Sequence, residues 1–432
     1  MKKKTKDIIV LGAALFSMFF GAGNLIFPPF LGRLAGNTWV YAIIGFLLTG
    51  VGLPFLGIVA SSKAGGDVDK LGRKVSPGFA KFLGITIVIA IGPLLAIPRT
   101  GATAFEMGGH PIFPGLSPVI FAIIYFAINL YFVISPNDVM DKIGKILTPG
   151  LFLLLTLLIV KGVITPIGTP VESTLDSSFP NGFLEGYQTM DALAAILFGG
   201  VVTASLVNYG YTDEKEKMSM TIKSGLVAIL GLAFVYGGLC YLGATAGSLY
   251  STDIERTTLI MNIANDVLGG FGKYGLGIAV MLACMTTSVG LTATAGQYFE
   301  QISNGKIKYK VTVIVTSVFS AVMSCIGVES IISLAAPILG FMYPIVIVLI
   351  LLAVFLDRYI KNENVYKFAI YAALLISALE CLSLFGFGNG ISDVVNKLPL
   401  ASSGFAWLVP ALIGGILGNF IPSKIGSEIT NA

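Results

Sequence analysis

The chain has 432 residues, of which 55% are hydrophobic and only 12% charged, with a formal net charge of +4. Soluble globular chains carry about 25% charged residues, and a mean hydropathy of +0.88 leaves too little polar surface to face water. The composition excludes a soluble globular protein and defines an all-α polytopic membrane protein, whose mild positive charge reflects topology and not nucleic-acid binding.

A spanning helix needs roughly 20 apolar residues. Twelve such stretches run along the chain, centred on 8–31, 38–60, 79–107, 116–134, 143–163, 186–210, 221–247, 272–299, 311–328, 330–356, 365–386 and 403–421. An even number places both termini on one side, and Lys and Arg resist translocation. With a cytoplasmic N-terminus, only Arg33, Lys161, Arg256, Lys273 and Lys397 fall outside, and Arg99 lies within a span. The rest of the 27 basic residues, from Lys2 to Lys424, are then cytoplasmic. The basic, apolar start can imitate a secretory signal, but no small-residue cleavage site is evident. It is expected to remain as the first helix.

Polar interruptions are few. Residues 164–185 read as an outside loop, 211–223 ("YTDEKEKMSMTIK") as an inside one, and 249–268 as an amphipathic outside helix. No soluble domain is evident, so 1–432 reads as a single membrane domain. If spans 1–5 and 6–10 are repeats, their odd number inverts the second relative to the first. The chain then divides into 1–163, 186–356 and two additional helices at 365–421. Corresponding first helices both carry interruptions, "FFGAGN" in one and "GYQTMDALAAILFGG" in the other. Paired interruptions of this kind point to a carrier's substrate site.

The first interruption, "SMFFGAGNLIFPPFLG" from Ser17 to Gly32, carries the chemistry. Bare backbone groups in hydrocarbon cost several kcal/mol each, so a break at membrane depth needs protein, water or ligand to satisfy it. Gly21 and Gly23 admit unusual backbone conformations, and Pro28 tolerates the first turn of a helix restarting near 25–27. The end of the first half exposes carbonyls suited to a small cation. The start of the second half offers N–H groups and a positive dipole end suited to a carboxylate. A cation and an amino-acid zwitterion fit this arrangement. A proline kink with tight glycine packing fits the same residues.

"GAGNLIFPP" followed by "LG", "AIPRT" at Ala96–Thr100, "GYQTMDAL" at Gly186–Leu193 and "TTSVGLTA" at Thr286–Ala293 resemble the bacterial branched-chain amino-acid:cation symporter family (BrnQ-type carriers) over essentially the whole chain. That family is related in fold to the sodium-coupled leucine transporter superfamily. The resemblance implies twelve helices, a five-plus-five inverted repeat with helices 1 and 6 broken, and two extra helices. It implies import of leucine, isoleucine or valine, with sodium as the coupling ion and no enzymatic cofactor. By the same resemblance, sodium is held by the carbonyls of Ser17, Phe20 and Ala283 and the hydroxyls of Thr286 and Thr287. Threonines in membrane helices also back-bond to a carbonyl one turn earlier. The substrate carboxylate would meet the amides of Ala22 and Gly23, and its ammonium the carbonyls near Phe19 and in helix 6. Asn24 is placed either on a second cation or on the broken backbone. Thr189, Asp191 and Leu193 lie where helix 6 would unwind. Phe198, Leu291 and the Ala96–Pro98 region would line the apolar pocket. The chain departs from the leucine transporters at Phe27, where that branch has an Arg belonging to an outer gate.

Charges inside the membrane are functional candidates. Arg99 and Glu106 are seven residues apart in span 3, hence on roughly one helical face, and are expected to pair or gate; Arg99 could also attract the substrate carboxylate. Asp191 is a candidate for ammonium, cation or proton, which leaves proton coupling as the alternative to sodium. Glu380 reads as structural and His110 as solvated. Four cysteines stand singly, without zinc-ligand or disulfide spacing. An enzyme would need a catalytic constellation, and none is present; "GGFGKYG" contains GxGxxG but does not follow a strand. A channel is the remaining rival, separated from a carrier by saturable, gradient-driven uptake. The expected setting is the bacterial cytoplasmic membrane, with both termini cytoplasmic and no obligatory protein partner.

Overall fold

A computed structural model describes residues 3–134, 138–360, 362–384 and 389–422, with residues 22, 138–148, 389 and 391 described by backbone alone. Lys2, Lys361 and Lys424 of the basic inventory, and the C-terminus itself, lie outside the described residues. The described chain is helical, without strands.

In chain order the helices are α1 (Lys3–Phe19), α2 (Ala22–Ala35), α3 (Trp39–Leu47), α4 (Leu53–Lys63), α5 (Val68–Arg73), α6 (Pro77–Ile89), α7 (Ala96–Ala104), α8 (His110–Ile112), α9 (Pro118–Ile134) and α10 (Asp138–Ile164). They continue as α11 (Ser178–Glu185), α12 (Asp191–Asn208), α13 (Glu214–Thr245), α14 (Arg256–Leu268), α15 (Gly270–Ile302), α16 (Tyr309–Ser324), α17 (Val328–Leu351), α18 (Asn364–Leu384), α19 (Asn389–Asn396) and α20 (Leu408–Phe420). Among the described residues, 7 helical runs are long and apolar enough to cross a membrane, and α9, α16, α20 and the Pro149–Ile164 part of α10 are shorter apolar helices.

Local chemistry sets several boundaries. Ser76 starts α6 by accepting from the Phe79 N–H at 3.1 Å, with Pro77 in the first position. Asp213 starts α13 by accepting from the Glu216 N–H at 2.8 Å. Much of the polar 211–223 stretch is therefore helix, because a capped and charged turn can project into water. The 164–185 stretch likewise ends in a helix, α11, packed against α3. Between α6 and α7 the chain makes a wide turn at Ala90–Leu94, with Gly92 at φ −93° and ψ −120°. Pro93 has no N–H to continue the helical ladder, and the Leu95 N–H reaches back to Ala90 O at 3.2 Å. This interruption lies inside a stretch that sequence patterning reads as one span.

The helices pack as two groups. α12 lies along α4, and α13 lies along α1 and α2; α7 and α9 pack with α15 and α16. Two apolar cores cut across these groups, each drawing residues from both, and the half-buried Phe198 and Leu291 pack against both cores. Close approach of α2 and α13 relies on missing side chains. A β-carbon on Gly32 would lie 1.8 Å from Cys240 O, and one on Gly243 would lie 1.8 Å from Pro29 O.

Candidate functional site

α1 ends at Phe19, with the Phe20 N–H still donating to Phe16 O at 2.9 Å. Gly21 is extended, at φ −117° and ψ −172°, and its N–H donates to Asn24 Oδ1 at 3.2 Å. That bond lets α2 restart at Ala22, earlier than the 25–27 expected from Pro28. Pro28 and Pro29 consequently sit inside α2. Lacking N–H groups, they cannot donate to Asn24 O and Leu25 O, whose acceptor capacity stays available beside the interruption.

A second interruption precedes α12. Gly186–Thr189 form a tight three-residue-per-turn helix, and Met190 follows at φ 62°, ψ 7° before Asp191 opens α12. A left-handed conformation is uncommon outside glycine and needs its surroundings to hold it. Thr189 helps: its hydroxyl donates to Gly186 O at 3.0 Å and accepts from the Asp191 N–H at 3.3 Å.

The two interruptions meet. Asn24 Nδ2 donates to Asp191 Oδ2 at 2.6 Å and also touches the Tyr236 hydroxyl. Asn24, Arg99, Gln188, Thr189 and Asp191 are all buried. Arg99 enters from α7: Nη1 donates to Gln188 O at 2.7 Å, and the guanidinium carbon stands 5.3 Å from the Phe27 ring centre. A β-carbon on Gly23 would lie 2.7 Å from Arg99 Nη2. Arg99 and Asp191 make no ion-pair contact among the described residues; they meet through neighbouring groups, Gln188 O and Asn24.

Arg99 and Glu106 do not pair. Glu106 accepts from the Thr257 hydroxyl at 2.7 Å and from the Val328 N–H at 2.9 Å, while Arg99 turns to Gln188. Seven residues of helix separate the two by about 10 Å of rise, and each finds its partners on other elements. Glu106 instead ties α7 to α14 and α17.

Arg256 was not singled out from sequence. Its Nη1 pairs with Glu329 and its Nη2 lies 3.4 Å from Glu185. Its guanidinium carbon is 4.0 Å from the Phe30 ring centre and 5.8 Å from that of Phe27. Phe27 thus stands where two arginines converge on one ring. The sequence places Arg256 only among the outside basic residues, which gives no hint of Glu185 or Glu329.

The proposed cation ligands come from α1 and α15. A β-carbon on Gly21 would lie 3.9 Å from Thr287 Oγ1, so the interruption faces that hydroxyl. Thr286 donates to Ala283 O at 2.9 Å, the back-bond open to threonine in a helix; its oxygen lone pairs remain as acceptors. Ser17 and Phe20 border the interruption on the α1 side, and the Phe20 ring stacks on Phe16 at 5.2 Å. The Phe19 ring lies 6.0 Å from Phe198, which places apolar surface beside both interruptions.

Solved structures share this architecture. The inward-facing conformation of Mhp1 superimposes with a TM-score of 0.63 at 12% identity, over 96% of this chain and 90% of that one. MhsT in complex with L-phenylalanine gives 0.57 at 17% identity, over 95% and 98%. The chain therefore has the fold of these two structures, and its long apolar helices are those of a multi-pass membrane protein. Residues 4–425 match the family described as Branched-chain amino acid transport protein, and the chain belongs to that family. It is 39% identical to the branched-chain amino acid permease BraB of Bacillus subtilis, over 98% of both chains. It is 36% identical to the branched-chain amino acid transport system 2 carrier protein of Pseudomonas aeruginosa, over 95% of both. The permease BrnQ of Bacillus subtilis is 37% identical, over 97% of this chain and 98% of that one. The family and these relatives are carriers and permeases by description, not enzymes.

Proposed function

We propose that the protein is a secondary active symporter that imports leucine, isoleucine or valine together with sodium. The observation that carries this reading is the meeting of two interrupted helices at Asn24 and Asp191, where backbone groups and a buried carboxylate converge. Family membership and the names of the relatives support the substrate class.

In this reading the amides of Ala22 and Gly23, at the start of α2, take the substrate carboxylate. Asp191, Gln188 O and the carbonyls near Phe19 take the ammonium. Phe198 and Leu291 border the branched side chain. Sodium sits among Ser17, Phe20, Ala283, Thr286 and Thr287. Ion and substrate use one interrupted backbone, so binding either one organises it for the other. The chain crosses the bacterial cytoplasmic membrane twelve times, as two five-helix inverted repeats plus two further helices, with both termini inside. Transport moves α1–α4 with α12 and α13 against α6, α7, α9, α15 and α16.

Labelled leucine uptake into proteoliposomes tests the reading. Accumulation under an imposed sodium gradient is the expected outcome. Accumulation under a proton gradient alone transfers the coupling role to Asp191, and no accumulation under either gradient removes the substrate assignment.

A further inference from the structure

We propose that Arg99 is a tethered cation that occupies the ammonium position of the empty carrier and turns to the carboxylate of an incoming amino acid. The proposal rests on the amino-acid reading above and adds the residue that restricts the site to zwitterions.

Asp191 is a buried carboxylate, and an isolated buried charge is strongly unfavourable. Its hydrogen bond from Asn24 satisfies geometry but brings no charge. Arg99, a buried cation at the same interruption, brings it. The same guanidinium donates to Gln188 O, a carbonyl of the interrupted stretch before α12. A carbonyl and a carboxylate are what an α-ammonium seeks. One of an ammonium's two acceptors, Gln188 O, therefore already serves a protein cation, and the other, Asp191, lies three residues further along.

The other end of the guanidinium decides where it goes. Nη2 lies against Gly23, at the opening of α2. A carboxylate docking there meets the first amides of α2 and a planar fork of N–H donors together, the geometry that guanidinium groups match best. The incoming ammonium replaces Arg99 at Gln188 O and Asp191, and Arg99 is released to the carboxylate. Each charge keeps a partner, and the site remains neutral whether empty or loaded. An amine without a carboxylate would displace Arg99 and leave it buried and unpaired. An acid without an ammonium would pull Arg99 away from Asp191. Both are rejected by the same residue.

The test measures binding of leucine, 3-methylbutylamine and 4-methylpentanoate to the purified full-length protein in sodium, by ligand-induced shifts in thermal melting. Wild-type protein is expected to favour leucine over both analogues by at least about 100-fold, the combined worth of two charge-assisted contacts. Arg99→Gln is expected to weaken leucine at least about tenfold and to tighten the amine, because the tethered competitor is gone. Arg99→Lys keeps the charge without the fork and should lower the leucine-to-amine preference about fivefold or more. An Arg99→Gln protein that binds leucine as wild type does, or that loses leucine and amine equally, overturns the proposal. If Arg99→Gln does not fold, an unchanged preference in Arg99→Lys overturns it alone. Wild-type protein that binds no leucine overturns the amino-acid reading, and this proposal with it.

Discussion

Asn24 Nδ2 donates to Asp191 Oδ2 at 2.6 Å, while Asn24 Oδ1 accepts from the Gly21 N–H at 3.2 Å. One side chain thus closes the gap between α1 and α2 and fastens it to the start of α12. Replacing Asn24 by Ala leaves a buried amide and a buried carboxylate each short of a partner, at a cost of about 1–3 kcal/mol per group. Thermal melting should fall, and leucine uptake should be lost. Asn24→Asp should be worse, because it sets a second carboxylate beside Asp191. Melting at or above the wild-type temperature in both variants would contradict this coupling.

Thr286→Ala with Thr287→Ala removes both hydroxyl oxygens of the proposed sodium site, of which that of Thr287 faces the α1 interruption. Half-saturation by sodium should rise at least about tenfold, as expected for the loss of one good contact. Melting without sodium should stay close to wild type, since the lost bond from Thr286 to Ala283 O lies within one helix. Sodium titration of uptake decides the matter. Wild-type sodium affinity in the double variant would show that the ion sits elsewhere.

The contact between α2 and α13 gives a packing test free of transport. Gly32→Ala and Gly243→Ala each drive a methyl to 1.8 Å from a backbone oxygen, and overpacking costs typically 1–3 kcal/mol. Gly237, in the same α13, has open space where its β-carbon would stand. Gly237→Ala should instead stabilise by about 0.5–1 kcal/mol through helix propensity. Melting curves of the three variants should separate into two low and one high.

Asp357, just beyond the end of the α17 run, supplies a pH dependence. Burial opposes its charge, but hydrogen bonds from Lys74 and Tyr366 and attraction by Lys74 and Lys63 outweigh burial and hold its carboxyl below the usual value of 3.8. A depressed folded-state carboxyl stabilises the fold above the unfolded value and loses that contribution as pH falls through the folded one. Melting of wild-type protein should therefore drop below about pH 4 more steeply than that of Asp357→Asn. The two profiles should run parallel above pH 5. Parallel profiles throughout would mean that the Lys74 contact contributes nothing, a common result for half-exposed pairs.

Much of the site could be read before any coordinates, because its residues are chemically conspicuous. Gly21, Gly23 and Asn24 in an apolar stretch, and Thr189 with Asp191 in another, signal backbone that a regular membrane helix would not choose. Both stretches prove to contain helix ends. The errors came from what one helix cannot show about another. Seven-residue spacing suggested that Arg99 and Glu106 pair, but about 10 Å of helical rise separates them and other elements supply each with its partners. Pro28 suggested a restart near its own position, whereas the Asn24 side chain allows one at Ala22. The partners of Arg256, from α11 and α17, are distant along the chain and left no local mark.

Phe198 and Leu291 pack against both apolar cores. A residue that touches both cores must find a comfortable packing in every arrangement the two cores adopt. Changes in its volume therefore tilt the balance between those arrangements before they unfold either core. Phe198→Leu or Leu291→Ala could retune the direction and pace of the transport cycle in a protein that melts almost as before.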